Sequence, residues 1–122
     1  MKTRIDPRAL TRELLAFNTI NPPGMERACA RHLGALLEKA GFRTAYHEFA
    51  EARTSLVAEI GGDPDRPPIC FTGHIDTVPL GAKAWTKDAF AGETDGDRLY
   101  GRGSTDMKSG IAAFVAAAVE LA

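Results

Sequence analysis

Apolar positions follow a helical spacing at both ends of the chain and a strand-like spacing in between. The first helical pattern begins at Asp6 and Pro7, residue types favoured at a helix start, and stops at Asn-Pro-Pro-Gly at 21–24. A second apolar stripe predicts a helix over 25–40, with Gly41 placed to end it. Two helices are therefore expected before the pattern changes.

The middle of the chain favours strands. Three strands are predicted, at 42–49, 55–60 and 67–74. The third contains the continuous apolar run 69–71, which indicates burial on both faces. A hairpin turn at 94–97 precedes a short strand at 98–100. This order of elements predicts an α/β fold in which a mixed sheet is flanked by helices.

A last helix is predicted from Asp106 or Met107 onward. Its residues 111–119 are apolar or small on every side, a pattern typical of a helix enclosed on all faces. The other predicted elements are too few to enclose it. Residues 1–122 are therefore expected to form one incomplete domain, whose remainder lies outside this segment.

Composition narrows the class of protein. Hydrophobic residues make up 44% of the 122 positions and charged residues 25%, as in ordinary globular domains. The net charge of −1 and the lack of a basic run argue against nucleic-acid or membrane partners. No signal-peptide pattern is recognised, so a cytoplasmic location is expected. Cys29 and Cys70 lie in apolar patterns, which predicts two buried, reduced thiols.

The first cluster with chemical potential is His74 and Asp76, directly after the third predicted strand. Side chains two positions apart in a strand point to the same side, so these two can converge. A carboxylate that accepts the second N–H of an imidazole fixes its tautomer, an arrangement common at zinc sites. The alternative is a polar loop in which both side chains bond to the backbone.

The second cluster is the glycine-rich segment 101–110, which contains Asp106. Glycines allow the backbone to approach another group closely. Asp106 can act as a metal ligand, or simply as the N-cap of the last helix. A phosphate-binding turn is a further alternative, but the Gly-Lys-Ser/Thr of a P-loop is absent.

Taken together, these clusters resemble one family closely. The motifs are Gly-His-Ile-Asp-Thr-Val-Pro at 73–79 and Gly-Arg-Gly-Ser-Thr-Asp-Met-Lys at 101–108. They are similar to the co-catalytic zinc hydrolases that include acetylornithine deacetylase, succinyl-diaminopimelate desuccinylase, aminoacylases and glutamate carboxypeptidases. Residues 21–26 and 53–58 also fit, although Ser55 stands where asparagine is more usual. The resemblance covers nearly the whole chain and implies the N-terminal portion of a zinc-exopeptidase-like catalytic domain.

The resemblance implies a role for each matching residue. His74 would ligate one zinc ion, Asp106 would bridge two, and Asp76 would be the catalytic residue that orients His74. Two zinc ions are implied per complete active site, and cobalt or manganese could replace them. The peptide between Asp106 and Met107 is implied to be cis.

The implied activity is metal-dependent hydrolysis of amide bonds in N-acyl amino acids or short peptides. The family's general-base glutamate, remaining ligands and dimerisation domain match nothing here, since only Glu120 follows Asp106 among the carboxylates. The chain alone is therefore expected to be inactive, and the complete protein is expected to be a homodimer. The alternative is a non-catalytic fragment or binding module that retains part of the fold.

Several other residues are expected to be structural. Arg102 and Lys108 match the motif without being ligands, so surface charge or support of the site is expected for both. The remaining expectations are surface positions for His32 and His47, and loop packing for Trp85 and Phe90.

Overall fold

A computed structural model describes residues 3–122 of the chain. Within that range three helices and four strands form. The helices are α1 (Pro7–Leu15), α2 (Arg27–Lys39) and α3 (Lys108–Leu121), and the strands are β1 (Arg43–Ala50), β2 (Arg53–Glu59), β3 (Thr94–Asp95) and β4 (Arg98–Leu99). The predicted α/β class is confirmed.

Helix α1 begins directly after Asp6, the residue that caps its N-terminus. The Asp6 carboxylate accepts a hydrogen bond from the Arg8 backbone N–H at 2.9 Å, and Pro7 occupies the first turn. Its apolar face packs against α3, and α2 completes the core. The buried core cluster consists of Leu10, Leu14, Cys29, Leu33, Leu37, Ile111, Ala112, Val115 and Val119.

Strands β1 and β2 form an antiparallel hairpin, with Arg43 opposite Glu59 and an irregularity between Glu48 and Ala50. Helix α2 packs against this hairpin. The turn places Ala52 at φ 57°, and the Ala52 carbonyl accepts the Arg27 N–H at 3.0 Å. The start of α2 is thereby attached to the turn of the hairpin.

The third predicted strand does not form. Residues 67–74 have no strand partner, and the side chains of Ile69 and Phe71 are 73% and 42% exposed. A strand needs a hydrogen-bonded neighbour, and the two sheets of the described residues are separate antiparallel pairs. The predicted single mixed sheet is therefore absent from residues 3–122. Only an isolated parallel bridge joins Ile20 to Thr77 within this range.

Helix α3 is covered on one side. Ile111, Ala112, Val115 and Val119 are buried, whereas Leu121 is 70% exposed. The expected enclosure on all faces is not reached by the residues described here. None of the helices in this part of the chain combines the length and apolarity needed to cross a membrane.

The two cysteines differ in environment. Cys29 is fully buried, as expected, and burial raises the pKa of its thiol to about 11. Cys70 is exposed, so the prediction of a buried thiol there is wrong. The reason is that its segment lacks the neighbouring strands that would cover it. Neither cysteine forms a disulfide within the described range.

We predict that alkylation at neutral pH separates the two thiols. Iodoacetamide should modify Cys70 and leave Cys29 intact until the protein is unfolded, because a buried thiol with a raised pKa supplies little thiolate. Peptide mass spectrometry measures the result, and Cys70→Ser is the control that should abolish native labelling. Rapid native labelling of Cys29 would contradict its burial.

Leu14 and Leu121 provide a matched test of the core. Leu14→Ala should lower the free energy of unfolding by about 2–5 kcal/mol, because it leaves a cavity between packed helices. Leu121→Ala removes the same atoms from an exposed position, so the expected change stays within about 0.5 kcal/mol. Urea denaturation measures both. Equal losses would contradict the described core.

Candidate metal site

His74 lies between two carboxylates. Its Nδ1 is 3.0 Å from Oδ1 of Asp76 and 3.0 Å from the Asp76 carbonyl oxygen, and its Nε2 is 3.0 Å from Oδ1 of Asp106. These distances bring the two sequence clusters into contact, as the family resemblance implied. His74 and Asp106 are both exposed, with side-chain accessibilities of 49% and 76%, so the cluster opens to solvent.

The two carboxylates also set the charge preference of the imidazole. Partial burial lowers the pKa of His74, but hydrogen bonds and negative charge from Asp76 and Asp106 outweigh this effect. The pKa of His74 consequently lies above its ordinary value. The space between Nε2 of His74 and Oδ1 of Asp106 therefore favours a positive charge, which a proton or a metal ion can supply.

Asp106 is held by the glycine-rich loop rather than by helix capping. The N-cap position of α3 belongs to Met107, and no side-chain capping bond is present. The Lys108 N–H donates to the Gly103 carbonyl at 2.8 Å, which closes the loop beneath Asp106. The alternative in which Asp106 serves as the N-cap is thereby excluded. The Asp106–Met107 peptide is cis, as the family resemblance implied.

Two glycines allow the clusters to meet. A Cβ on Gly73 would lie 2.8 Å from Ile111 Cδ1 and from Met107 Cε, so the segment carrying His74 runs directly over the start of α3. Gly103 has φ +98°, a backbone conformation that residues with a Cβ rarely adopt. A Cβ there would also lie 2.9 Å from Thr77 Cγ2. Gly103 thus requires glycine, whereas a Cβ on Gly73 would need the flexible ends of the Ile111 and Met107 side chains to shift.

Lys108 is buried rather than on the surface. Its side chain is 1% exposed, and Nζ donates a hydrogen bond to the Phe17 carbonyl at 2.8 Å. Burial lowers the pKa of this ammonium group. The expectation of surface charge is therefore wrong for Lys108. The other expectation, support of the site, fits, because the bond attaches the first residue of α3 to Phe17, two residues beyond the end of α1.

Trp85, Arg102 and His32 contact groups other than His74 and Asp106. Trp85 donates its indole N–H to the Leu80 carbonyl at 3.1 Å, and Arg102 lies over the indole ring at 5.2 Å. Trp85 therefore packs its own loop, as expected. His47 is exposed on β1, and half-buried His32 pairs with Glu13 on the surface.

Sequence reasoning missed two contacts of Asp76. Asn21 Nδ2 donates to Oδ2 of Asp76 at 3.2 Å, and Nη2 of Arg53 lies 3.9 Å from the same oxygen. Arg53 in turn forms a forked ion pair with buried Glu26, at 2.7 Å in its shortest contact. Asn21 begins the Asn-Pro-Pro-Gly segment, and Glu26 lies two residues after its end. The sequence pattern marks this segment as a helix end but indicates no role for it at the site.

The donor set fits part of a zinc site. Zinc accepts imidazole nitrogen and carboxylate oxygen at roughly 2.0–2.2 Å, so two ligands 3.0 Å apart can share one ion. Among residues 3–122, however, no group of three or more His, Cys, Asp or Glu side chains converges on one point. Since zinc sites in proteins use at least three protein ligands, the described residues supply an incomplete set.

Comparison with known proteins agrees with this geometry. Residues 70–122, which carry both motifs, match peptidase family M20/M25/M40. Nearly the whole chain matches curated proteins named succinyl-diaminopimelate desuccinylase. The resemblance seen in the motifs is thereby confirmed: residues 70–122 match the family, and the chain is similar to the N-terminal part of the named desuccinylases.

Three relatives illustrate the extent of the match. The protein from Wolbachia pipientis subsp. Culex pipiens (strain wPip) is 44% identical over 119 residues, covering 96% of this chain. That from Gluconobacter oxydans (strain 621H) is 43% identical over 115 residues, or 92% of this chain, and that from Rhodopseudomonas palustris (strain HaA2) is 46% identical over 106, or 80%. The chain spans only 29%, 29% and 27% of their respective lengths.

The glycine-rich loop yields a stability prediction. Gly103→Ala should cost about 1–3 kcal/mol, because alanine resists φ +98° and its Cβ would overlap Thr77. Gly62→Ala is the control, since a Cβ there meets nothing within 4 Å. Thermal unfolding of both variants measures the difference. Equal stability of the two would contradict the described conformation of the loop.

Proposed function

We propose that this chain is the N-terminal part of a zinc-dependent amidohydrolase that removes the acyl group from N-acyl amino acids. The observation that carries the proposal is the placement of His74 between Asp76 and Asp106, at 3.0 Å from each carboxylate. The names of the relatives make N-succinyl-diaminopimelate the first substrate to test. Short peptides and other N-acyl amino acids belong to the same chemical class.

In this proposal His74 and Asp106 would hold zinc, and Asp106 would be shared by the two ions of the complete site. Asp76 accepts the Nδ1–H of His74, which leaves the Nε2 lone pair directed toward Asp106. Zinc bound there would act as a Lewis acid toward the scissile carbonyl and the attacking water. Cobalt or manganese would suit the same nitrogen and oxygen ligands.

The general base of the reaction is proposed to lie outside residues 1–122. Glu120 is the only carboxylate after Asp106 in the sequence, and it pairs with Arg4 at 3.3 Å near the far end of α3. Glu120 lies twelve positions after Lys108 along α3, a rise of about 18 Å. Glu120 is therefore too distant to take a proton from water held at His74.

The proposal also includes inactivity of the isolated chain. Two ligands hold zinc weakly, and loss of a general base typically costs about 10²–10⁴-fold in rate. A homodimeric complete protein is part of the same proposal on the family resemblance, and a cytoplasmic location is part of it on the sequence pattern. The alternative function, a non-catalytic binding module, predicts no activity in any longer chain.

The decisive experiment compares the isolated chain with a chimera in which the rest of the Wolbachia relative follows it. Hydrolysis of N-succinyl-diaminopimelate should occur in the chimera with zinc, and chelation should abolish it. Asp76→Asn should lower activity by about 10–100-fold, and His74→Ala by more, because the first loses an orienting partner and the second a ligand. His47→Ala, an exposed histidine on β1, is the control.

Two outcomes would contradict the proposal. One is chelator-sensitive turnover by material whose intact mass confirms 122 residues, which would show that the catalytic groups are already present. The other is a folded, zinc-loaded chimera whose activity is unaffected by His74→Ala. That result would remove His74 from the site and favour the binding-module alternative.

A further inference from the structure

We propose that Asn21 and Arg53 are positioning residues that fix the carboxylate of Asp76, so that its Oδ1 faces His74. The inference rests on the proposed function, since it concerns how His74 is prepared to bind a metal. It assigns a task to two residues that lie far from Asp76 in the sequence. Asn21 follows α1, and Arg53 begins β2.

Backbone bonds place Asn21 beside Asp76. Thr77 N–H donates to the Thr19 carbonyl at 2.9 Å, and Asn21 N–H donates to the Thr77 carbonyl at 2.8 Å. The Thr19 hydroxyl, on a fully buried side chain, donates to the Ile75 carbonyl at 2.6 Å. These bonds flank Asp76 on both sides and do not involve the Asn21 side chain. The Asn21 amide can therefore be changed while the backbone contacts remain.

Arg53 approaches the same carboxylate oxygen from the hairpin. Its Nη2 lies 3.9 Å from Oδ2 of Asp76, close enough for attraction but beyond a direct hydrogen bond. Glu26 is 4% exposed and holds the guanidinium through contacts of 2.7, 3.2 and 3.3 Å. A buried carboxylate requires such a partner, so Glu26 keeps Arg53 in place.

The two oxygens of Asp76 thus have separate tasks. Oδ2 faces Asn21 and Arg53, and Oδ1 faces Nδ1 of His74. If the carboxylate could rotate, Asp106 would compete for the imidazole proton, because its Oδ1 is 3.0 Å from Nε2. A proton on Nε2 would occupy the lone pair needed for a metal ion. The Asp76 carbonyl oxygen, also 3.0 Å from Nδ1, favours a proton there, and a fixed Asp76 carboxylate adds to that preference.

The test reads the tautomer of His74 directly. Nitrogen-15 NMR of the metal-free chain, at an alkaline pH where the ring is neutral, should show the proton mainly on Nδ1. Asn21→Leu removes the amide donor at similar size and should shift the proton toward Nε2, whereas Asn21→Gln should restore part of the wild-type ratio. Arg53→Gln should shift it in the same direction, with Arg53→Lys as the conservative variant.

Arg43→Gln is the matched control for Arg53, because Arg43 pairs with Glu59 on the exposed part of the same hairpin. It should leave the tautomer unchanged. Zinc chloride titration gives a second readout, in which Asn21→Leu should bind about tenfold more weakly than wild type. Should Asn21→Leu fail to fold, the tautomer ratio of Arg53→Gln, compared with that of Arg53→Lys, decides.

The outcomes separate this inference from the proposed function. An unchanged tautomer in folded Asn21 and Arg53 variants overturns the positioning role, even if zinc binds to the wild type. A shifted tautomer supports it, even if zinc leaves the wild-type His74 resonances unaltered. That last result would count against the metal site while keeping the roles of Asn21 and Arg53.

Discussion

The position of Asp106 depends on a buried ammonium group. Lys108 sits at the start of α3 with 1% exposure, and Nζ donates to the Phe17 carbonyl just beyond the end of α1. Carbonyls at a helix end lack intrahelical partners and carry partial negative charge, so they suit a cation. Burial nevertheless disfavours the charged form and lowers the pKa of Lys108. The bond at Phe17 offsets part of that cost and joins α3 to α1 two residues from Asp106.

The charges around His74 favour a divalent cation over an anion. Asp76 and Asp106 contribute two negative charges within hydrogen-bond distance of one imidazole. Arg53 approaches Asp76, but its charge is matched by Glu26, which it contacts more closely. Arg53 can therefore orient the Asp76 carboxylate without cancelling the negative charge around His74. This balance explains why a basic residue can lie beside a proposed metal site.

Local sequence signals predicted the helices well because each has its own start or stop. Asp6 and Pro7 mark the start of α1. The β1–β2 hairpin also lies where the strand-like spacing of apolar residues predicted two strands. The run 69–71 failed as a strand, since periodicity reports suitability for burial and a strand also needs a hydrogen-bonded neighbour. The prediction that the Cys70 thiol is buried is wrong for the same reason, since Cys70 lies in this run and is exposed.

The proximity of His74 and Asp106 could be predicted from motifs, and the contacts that surround them could not. His74 and Asp106 belong to recognisable clusters, and their proximity followed from that resemblance. Asn21 and Arg53 reach Asp76 only through the Ile20–Thr77 bridge and the fold of the hairpin. Such contacts depend on long-range packing, which no spacing in a single sequence encodes. The burial of Lys108 was unpredictable on the same ground, because its partner lies 91 positions away.

In the proposed function, solvent exposure limits what the two candidate ligands, His74 and Asp106, can contribute to catalysis by themselves. Asp106 is 76% exposed and His74 is 49% exposed, so water screens both groups. Electrostatic stabilisation of a transition state is strong only where water is excluded and donors are fixed. A segment packed over residues 67–74 and the open side of α3 would cover exposed Ile69 and Phe71. Under the proposed function, the further ligands of a metal at Asp106 would come with such a segment, so burial of this face and completion of the proposed metal site would be a single structural event.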